Sequence, residues 1–142
     1  MMSQPVLLDT DTLSAIMRQH PIAVKNAQAY LKVYNRFLFS IITRYEILRG
    51  LKAKNATSQL LVFEHLCSNS QILVLTDDIV EKAASIYADL HQRGALIGEN
   101  DILIAATALV YDLTVITNNE KHFKRIKELR YHNWLTESQN LS

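Results

Sequence analysis

The segment PVLLDTDTLSAIM, residues 5–17, decides the fold. Its opening apolar run is stopped by Asp9-Thr10-Asp11-Thr12. After this polar stretch, Leu13, Ile16 and Met17 recur at the spacing of one helix face. The segment therefore predicts a short buried strand, a polar turn and an amphipathic helix, in that order.

The same succession of apolar strand, polar turn and helix recurs along the rest of the chain. Parallel strands need crossover connections, so apolar strands that alternate with helices predict an α/β domain whose parallel sheet is covered on both faces. Further strands are predicted at 37–42, 72–75, 114–117 and 130–132, and helices at 22–33, 43–50, 55–66, 76–93, 98–111 and 120–126.

Length and composition limit the possible classes of protein. A chain of 142 residues with 49% hydrophobic and 20% charged residues fits one globular domain, 1–142, with a single site. No apolar run approaches the roughly 20 residues of a membrane-spanning helix, and no signal-type segment opens the chain, so we expect a cytoplasmic location and no membrane partner. The net charge of +1 gives no argument for nucleic-acid binding. Cys67 is the single cysteine, and we expect a buried reduced thiol.

Three carboxylates stand at corresponding places in three separate units. Asp9 follows the first strand, Glu46 lies in the first turn of the helix after the second, and Asp101 opens an apolar helix. Ligands bind beyond the carboxyl ends of parallel strands, where these side chains can converge in one crevice. Taken singly, each has a structural explanation. Asp9 or Asp11 can cap the helix that begins near Thr12, and Glu46 fits a capping box with Thr43. Asp101 or Asn100 suits the positive end of a helix dipole.

Convergence favours metal chemistry, because capping does not require three acids to meet. Carboxylate oxygens suit Mg²⁺ or Mn²⁺, and such an ion relieves the mutual repulsion of the acids while polarising phosphate. The pattern therefore predicts metal-assisted phosphodiester hydrolysis. A zinc site fits poorly because the histidines show no zinc-ligand spacing; we expect each to be a surface or partly buried residue. They are His20, His65, His91, His122 and His132.

The chain resembles the VapC-type PIN-domain ribonucleases, the toxins of type II toxin–antitoxin pairs, over nearly its whole length. The resemblance rests on five motifs in order: LLDTD (7–11), YEILRG (45–50), IGENDILIAA (97–106), TNN (117–119) leading to Phe123, and Asn133-Trp134. It implies a PIN-like three-layer α/β fold with a central, mainly parallel sheet flanked by helices. It also implies an endoribonuclease that depends on Mg²⁺ or Mn²⁺, with RNA, a small antitoxin and a second copy of the chain as partners.

The resemblance also assigns roles to residues. Asp9, Glu46 and Asp101 take the positions of the invariant acids, with Asp9 and Asp101 as direct metal ligands. Asn119 stands where many PIN domains carry a fourth acid. An amide oxygen can ligate a metal or hold a water but lacks the charge, which leaves open whether one metal ion or two bind.

Four further residues are candidates for binding substrate. Thr117 can orient a ligand water, or be an ordinary residue at a strand end. Arg44 and Arg49 flank Glu46 and can hold phosphate oxygens, although Arg49 can also simply pair with Glu46 one turn away. Lys121 can guide RNA electrostatically or belong to a solvated helix face.

Two other functions compete with this interpretation. A phosphatase of the haloacid-dehalogenase type would use Asp9 as a covalent nucleophile and Asp11 as a general acid. Leu13 stands where that motif expects Thr or Val, and Glu46 would have no role. The second is a PIN-like module that binds RNA or a protein without cutting, against which the presence of all three acids argues.

Overall fold

A single parallel sheet forms the centre of the molecule. A computed structural model describes residues 4–137. Their five strands lie in the order β3-β2-β1-β4-β5, and every neighbouring pair is parallel, so the predicted α/β class is confirmed. The strands are β1 (Val6–Leu8), β2 (Leu38–Ser40), β3 (Gln71–Leu73), β4 (Thr114–Ile116) and β5 (Tyr131–His132).

Helices cover both faces of this sheet and give the predicted three layers. Alternate side chains of β1 point to opposite faces: Leu7 packs in one apolar core, and Val6 and Leu8 pack in the other. The helices are α1 (Thr10–Met17), α2 (Pro21–Tyr34), α3 (Ile41–Ala53), α4 (Thr57–Ser68), α5 (Asp77–Gln92), α6 (Glu99–Tyr111) and α7 (Glu120–Phe123). The core around Leu7 contains buried side chains of α5, α6 and α7, and the other contains those of α1 to α4.

Three predicted helices have wrong boundaries, and of these α4 runs from Thr57 to Ser68 instead of 55–66. The capping box of Thr43 and Glu46 does not form, because α3 begins earlier, at Ile41, where the Ser40 hydroxyl accepts a hydrogen bond from the Ile42 amide at 3.0 Å. Helix α7 ends at Phe123 instead of residue 126. Ile126 lies three residues after Phe123 and is buried, but its backbone is not helical.

The predicted single domain 1–142 extends beyond the described part, since residues 1–3 and 138–142 lie outside it. Among residues 4–137, no helix is both long and apolar enough to cross a membrane. Cys67 is free and buried, as predicted.

Candidate active site

The site lies at the carboxyl ends of the two central strands. Strands β1 and β4 run side by side with Leu8 opposite Ile116, so the residues that follow them, Asp9 and Thr117, emerge together. The Asp9 amide donates to the Ile116 carbonyl at 2.9 Å, and the Thr12 hydroxyl donates to the same carbonyl at 3.1 Å. Backbone pairing therefore holds the first carboxylate against the TNN segment, 108 positions away in sequence.

Asp9 is a buried carboxylate, with only 4% of its surface exposed. Its Oδ2 accepts from the Thr117 hydroxyl at 2.8 Å, and its Oδ1 accepts from the Thr10 amide at 2.7 Å. Burial raises the pKa of Asp9 to about 7, and the nearby carboxylates of Asp11 and Asp101 act in the same direction. A carboxyl group that is costly to ionise, beside two other acids, is a strong place for a cation to bind.

Asp11, which the family resemblance does not assign a role, also belongs to this acidic crevice. Its carboxylate accepts from the Asn118 amide at 3.2 Å, and burial raises its pKa. No Lys, Arg or His side chain in the described part of the chain forms an ion pair with Asp9 or Asp11. The charges of Asp9 and Asp11 are therefore not neutralised by an ion pair with any described residue.

Glu46 lies beside the crevice and connects three elements instead of capping its own helix. Its Oε1 accepts a hydrogen bond from the Thr10 hydroxyl at 2.6 Å, and its Oε2 accepts one from the side-chain amide (Nδ2) of Asn100 at 3.0 Å. Thr10 begins α1 and Asn100 lies in the first turn of α6, so the carboxylate is held from both sides. Such bonds position the acid without neutralising its charge.

Asp101, in the first turn of α6, contacts residues of the TNN segment and of α7. Its Oδ2 lies 2.9 Å from His122 Nδ1 and 3.4 Å from Asn119 Nδ2. Asn119 precedes α7 but makes no side-chain capping bond, and its amide N–H donates to the Thr117 hydroxyl at 2.9 Å. The side chain of Asn119 therefore faces the acids.

The three basic candidates are placed differently from these acids. Arg44 points to α4, where its guanidinium pairs with Glu64 at 2.9 Å and lies 3.2 Å from the Cys67 sulfur. Arg49 is 4.0 Å from Glu46 and stacks over the Tyr45 ring at 5.2 Å, so it borders the site. Lys121 is exposed on α7, with no ion-pair partner among residues 4–137. The geometry thus brings Arg49 to the acids and leaves Arg44 engaged elsewhere.

Sequence reasoning missed three residues that the site contains. Thr10 and Asn100 lie within the quoted motifs, but no residue pattern shows that they donate to Glu46. His122 was expected to be a surface or partly buried histidine, and it is partly buried, but its contact with Asp101 was not predicted. One sequence signal could have indicated this contact. His122 lies between Asn119 and Phe123, and the buried Phe123 holds α7 against the sheet.

The donor set fits a hard divalent cation that keeps several of its waters. Within the described residues, no three His, Cys, Asp or Glu side chains stand close enough together to hold a metal ion alone. Mg²⁺ is commonly bound by one or two carboxylates with water completing its shell. The buried, unneutralised Asp9 and the adjacent Asp101 supply such a pair. Zinc prefers thiolate ligands and pairs of imidazoles. The described residues of this crevice provide neither.

The model of the PIN domain family matches residues 6–129 of the chain. The chain belongs to the PIN-domain family. Its VapC type is shown by curated relatives. Ribonuclease VapC2 of Rickettsia felis is 30% identical over 129 residues, covering 90% of this chain and 96% of the relative. Ribonuclease VapC1 of Methanocaldococcus jannaschii is 30% identical over 123 residues, covering 87% and 82%.

Solved structures agree with this assignment of a VapC-type PIN domain. The VapBC2 complex of Rickettsia felis bound to a promoter DNA fragment contains a chain with a TM-score of 0.79 and 29% identity, covering 92% of this chain and 99% of that one. A chain of VapBC-1 from nontypeable Haemophilus influenzae gives a TM-score of 0.82 at 27% identity, covering 94% and 100%. The fold predicted from the sequence is thus that of known VapC toxins.

Proposed function

We propose that this PIN domain is the ribonuclease toxin of a toxin–antitoxin pair and cuts RNA with the help of Mg²⁺ or Mn²⁺. One observation carries the proposal: Asp9 is buried and raised in pKa beside Asp11 and Asp101, with Glu46 held at the edge of the same crevice. Carboxylates that repel one another at a strand end are stabilised when a proton or a cation occupies the site, and a divalent cation can relieve the repulsion at neutral pH and above. The relatives named ribonuclease support RNA as the substrate.

Asp9 and Asp101 would hold the cation. When bound, it supplies Lewis acidity, polarising the phosphate and making a water molecule easier to deprotonate. Thr117 keeps the Asp9 carboxylate turned toward the crevice through its 2.8 Å hydrogen bond. Thr10 and Asn100 hold Glu46 in place, where it can accept a proton from the attacking water. Arg49, at the border of the site, is placed to contact a phosphate oxygen.

Cleavage would proceed without a covalent enzyme intermediate. A P–O bond to water forms while the P–O bond to one ribose oxygen breaks, and the proton lost by water ends on that departing oxygen. The single cysteine is buried against Arg44, and His122 contacts Asp101 and Asn119, so no activated Ser–His or Cys–His pair occurs in the described crevice.

An apolar groove beside Glu46 is the proposed seat of the antitoxin. It has a volume of about 310 Å³ and runs between α1, α3 and α4, with Met17, Ile47, Leu51 and Val62 along it and Thr10 and Glu46 at the acidic crevice. An extended segment with an apolar anchor and an Arg would fill the groove and place its charge on the carboxylates, displacing the metal. The solved VapBC structures support an antitoxin as the partner. Homodimer formation and a cytoplasmic location complete the proposal.

A comparison of substrates tests this function against its two rivals. Purified protein is mixed with a labelled RNA and, separately, with a small phosphomonoester, each with Mn²⁺ and with EDTA. We expect RNA cleavage with Mn²⁺ alone and no release of phosphate from the monoester. Release of phosphate with intact RNA would indicate a phosphatase, and RNA binding without cleavage would indicate a non-cutting module.

A further inference from the structure

Among residues 4–137, His122 is the one histidine whose side chain contacts an acid of the crevice. Its neighbour Phe123 is fully buried in the core, so the four-residue α7 is fixed against the sheet. The His122 side chain is 38% exposed and that of Asp101 is 21% exposed, which leaves both open to water and ions.

Three polar atoms meet at this point. His122 Nδ1 lies 2.8 Å from Asn119 Nδ2 and 2.9 Å from Asp101 Oδ2, and the latter two atoms are 3.4 Å apart. A lone pair on Nδ1 would accept from the Asn119 amide but would face the carboxylate oxygen. A proton on Nδ1 would suit the carboxylate but would face the amide N–H. With the amide in this orientation, neither form of the ring satisfies both contacts.

Two arrangements remove this mismatch once the Asn119 amide is turned: a proton on Nδ1 that both oxygens accept, or a divalent cation that all three groups ligate. Turning the Asn119 amide brings its oxygen to the position of its nitrogen, an exchange that leaves the shape of the side chain unchanged. The three atoms then present lone pairs at 2.8, 2.9 and 3.4 Å from one another. Neighbouring ligand atoms of an octahedral ion with bonds of about 2.1 Å are separated by about 3 Å, close to this spacing.

We propose that His122, Asp101 and the Asn119 amide oxygen form a second cation position with a nitrogen ligand, which binds Mn²⁺ in preference to Mg²⁺. This inference rests on the proposed metal-dependent function and specifies its second metal. Imidazole nitrogen is a good ligand for transition metals, whereas Mg²⁺ takes oxygen almost entirely. The His122 nitrogen thus takes the place of the carboxylate that position 119 lacks. Because this ligand is an uncharged nitrogen, Mg²⁺ binds more weakly there than Mn²⁺.

Pulsed electron paramagnetic resonance on the Mn²⁺-loaded protein tests the assignment directly. A ligated imidazole gives a ¹⁴N coupling to Mn²⁺, which we expect in the unaltered protein and in His65→Gln, a control on an exposed histidine of α4. The coupling should disappear in His122→Gln. Calorimetric titration should show that His122→Asp lowers the preference for Mn²⁺ over Mg²⁺ by roughly tenfold.

The outcomes separate this inference from the function on which it rests. Mn²⁺-dependent RNA cleavage with no ¹⁴N coupling in the unaltered protein would overturn the nitrogen ligand and leave the ribonuclease intact; His122 would then only pair with Asp101. A coupling that survives in His122→Gln would also overturn it. A protein that neither binds Mn²⁺ nor cuts RNA would contradict both. Thermal melts of each variant confirm that it is folded.

Discussion

At the scale of single residues, Asp9 carries the largest electrostatic cost in the site. Its pKa is raised to about 7, chiefly by burial and then by Asp11 and Asp101. The folded protein therefore holds a proton on Asp9 at pH values where the unfolded chain, with an ordinary Asp pKa near 4, has lost it. This group's contribution to stability is present below about pH 4 and is lost as pH rises toward 7.

Asp9→Asn should therefore stabilise the metal-free protein at pH 8, by about 1–3 kcal/mol, and abolish cation binding at the position shared by Asp9 and Asp101. The amide keeps the shape and can still cap α1. Urea unfolding at pH 5 and pH 8 measures the effect, which should be larger at pH 8. The control is Asp112→Asn, which changes an exposed acid whose left-handed backbone (φ 56°) suits Asn. Its free energy of unfolding should not gain more at pH 8 than at pH 5. Loss of the fold in Asp9→Asn would favour the purely structural role of a helix cap.

Asn119→Asp should tighten Mn²⁺ and Mg²⁺ binding, by roughly tenfold, because one more negative charge would then face the cation in a partly desolvated crevice. The side chain points at Asp101 and His122, which makes the test meaningful. Titration calorimetry of both forms gives affinity and stoichiometry. Unchanged values would show that position 119 does not contribute to the metal site. Activity need not rise, since a tighter ion can slow product release.

At the scale of elements, α3 shows where sequence patterns mislead. Thr43 and Glu46 have the spacing of a capping box, yet Ser40 caps the helix, and Thr43 and Glu46 are both within reach of Thr10.

Ser40→Ala should cost about 1 kcal/mol of stability, because the Ile42 amide loses its acceptor. Ser58→Ala, on the exposed start of α4, is the matched control and should change stability by less than about 0.5 kcal/mol. Chemical denaturation of the two variants compares them, and equal losses would contradict the cap.

Most strands and helices were predictable from the sequence, because the alternation of apolar runs and amphipathic helices is a local pattern. The positions of Asp9, Glu46 and Asp101 near one edge of the sheet were predictable too, since each follows a strand or lies near the start of a helix. The contacts of Asn100 with Glu46 and of His122 with Asp101 were not, because they join side chains 54 and 21 positions apart whose directions depend on packing. Arg44 was expected at the phosphate for its place beside Glu46, but it points to Glu64 on the neighbouring helix.

At the scale of the whole molecule, the sheet order places one site at the ends of β1 and β4 and an apolar groove beside it. If the groove seats the antitoxin, Val62→Glu should weaken the complex by at least about tenfold, since it places a charge against the apolar anchor that would fill the groove. Val33→Glu, on α2, is matched because both valines are 60% exposed. Binding of each variant to a candidate antitoxin, such as the product of any small open reading frame adjacent to the gene, measures the effect. Equal affinity for the two variants would remove the groove from the proposal.

Sedimentation of the pure chain examines the remaining assembly prediction. We expect a homodimer over a broad range of concentration, as the resemblance to VapC toxins implies. A monomer throughout that range would contradict it.

The central claim is that Asp9 and Asp101 hold a divalent cation that is required for cutting RNA. The rate of RNA cleavage, measured against Mn²⁺ concentration for the unaltered protein and for Asp101→Asn, tests it most directly. We predict a rate that saturates with Mn²⁺, falls to background in EDTA, and drops by at least about a thousandfold in the folded variant. Cleavage at full rate in EDTA, or in Asp101→Asn, would contradict the account.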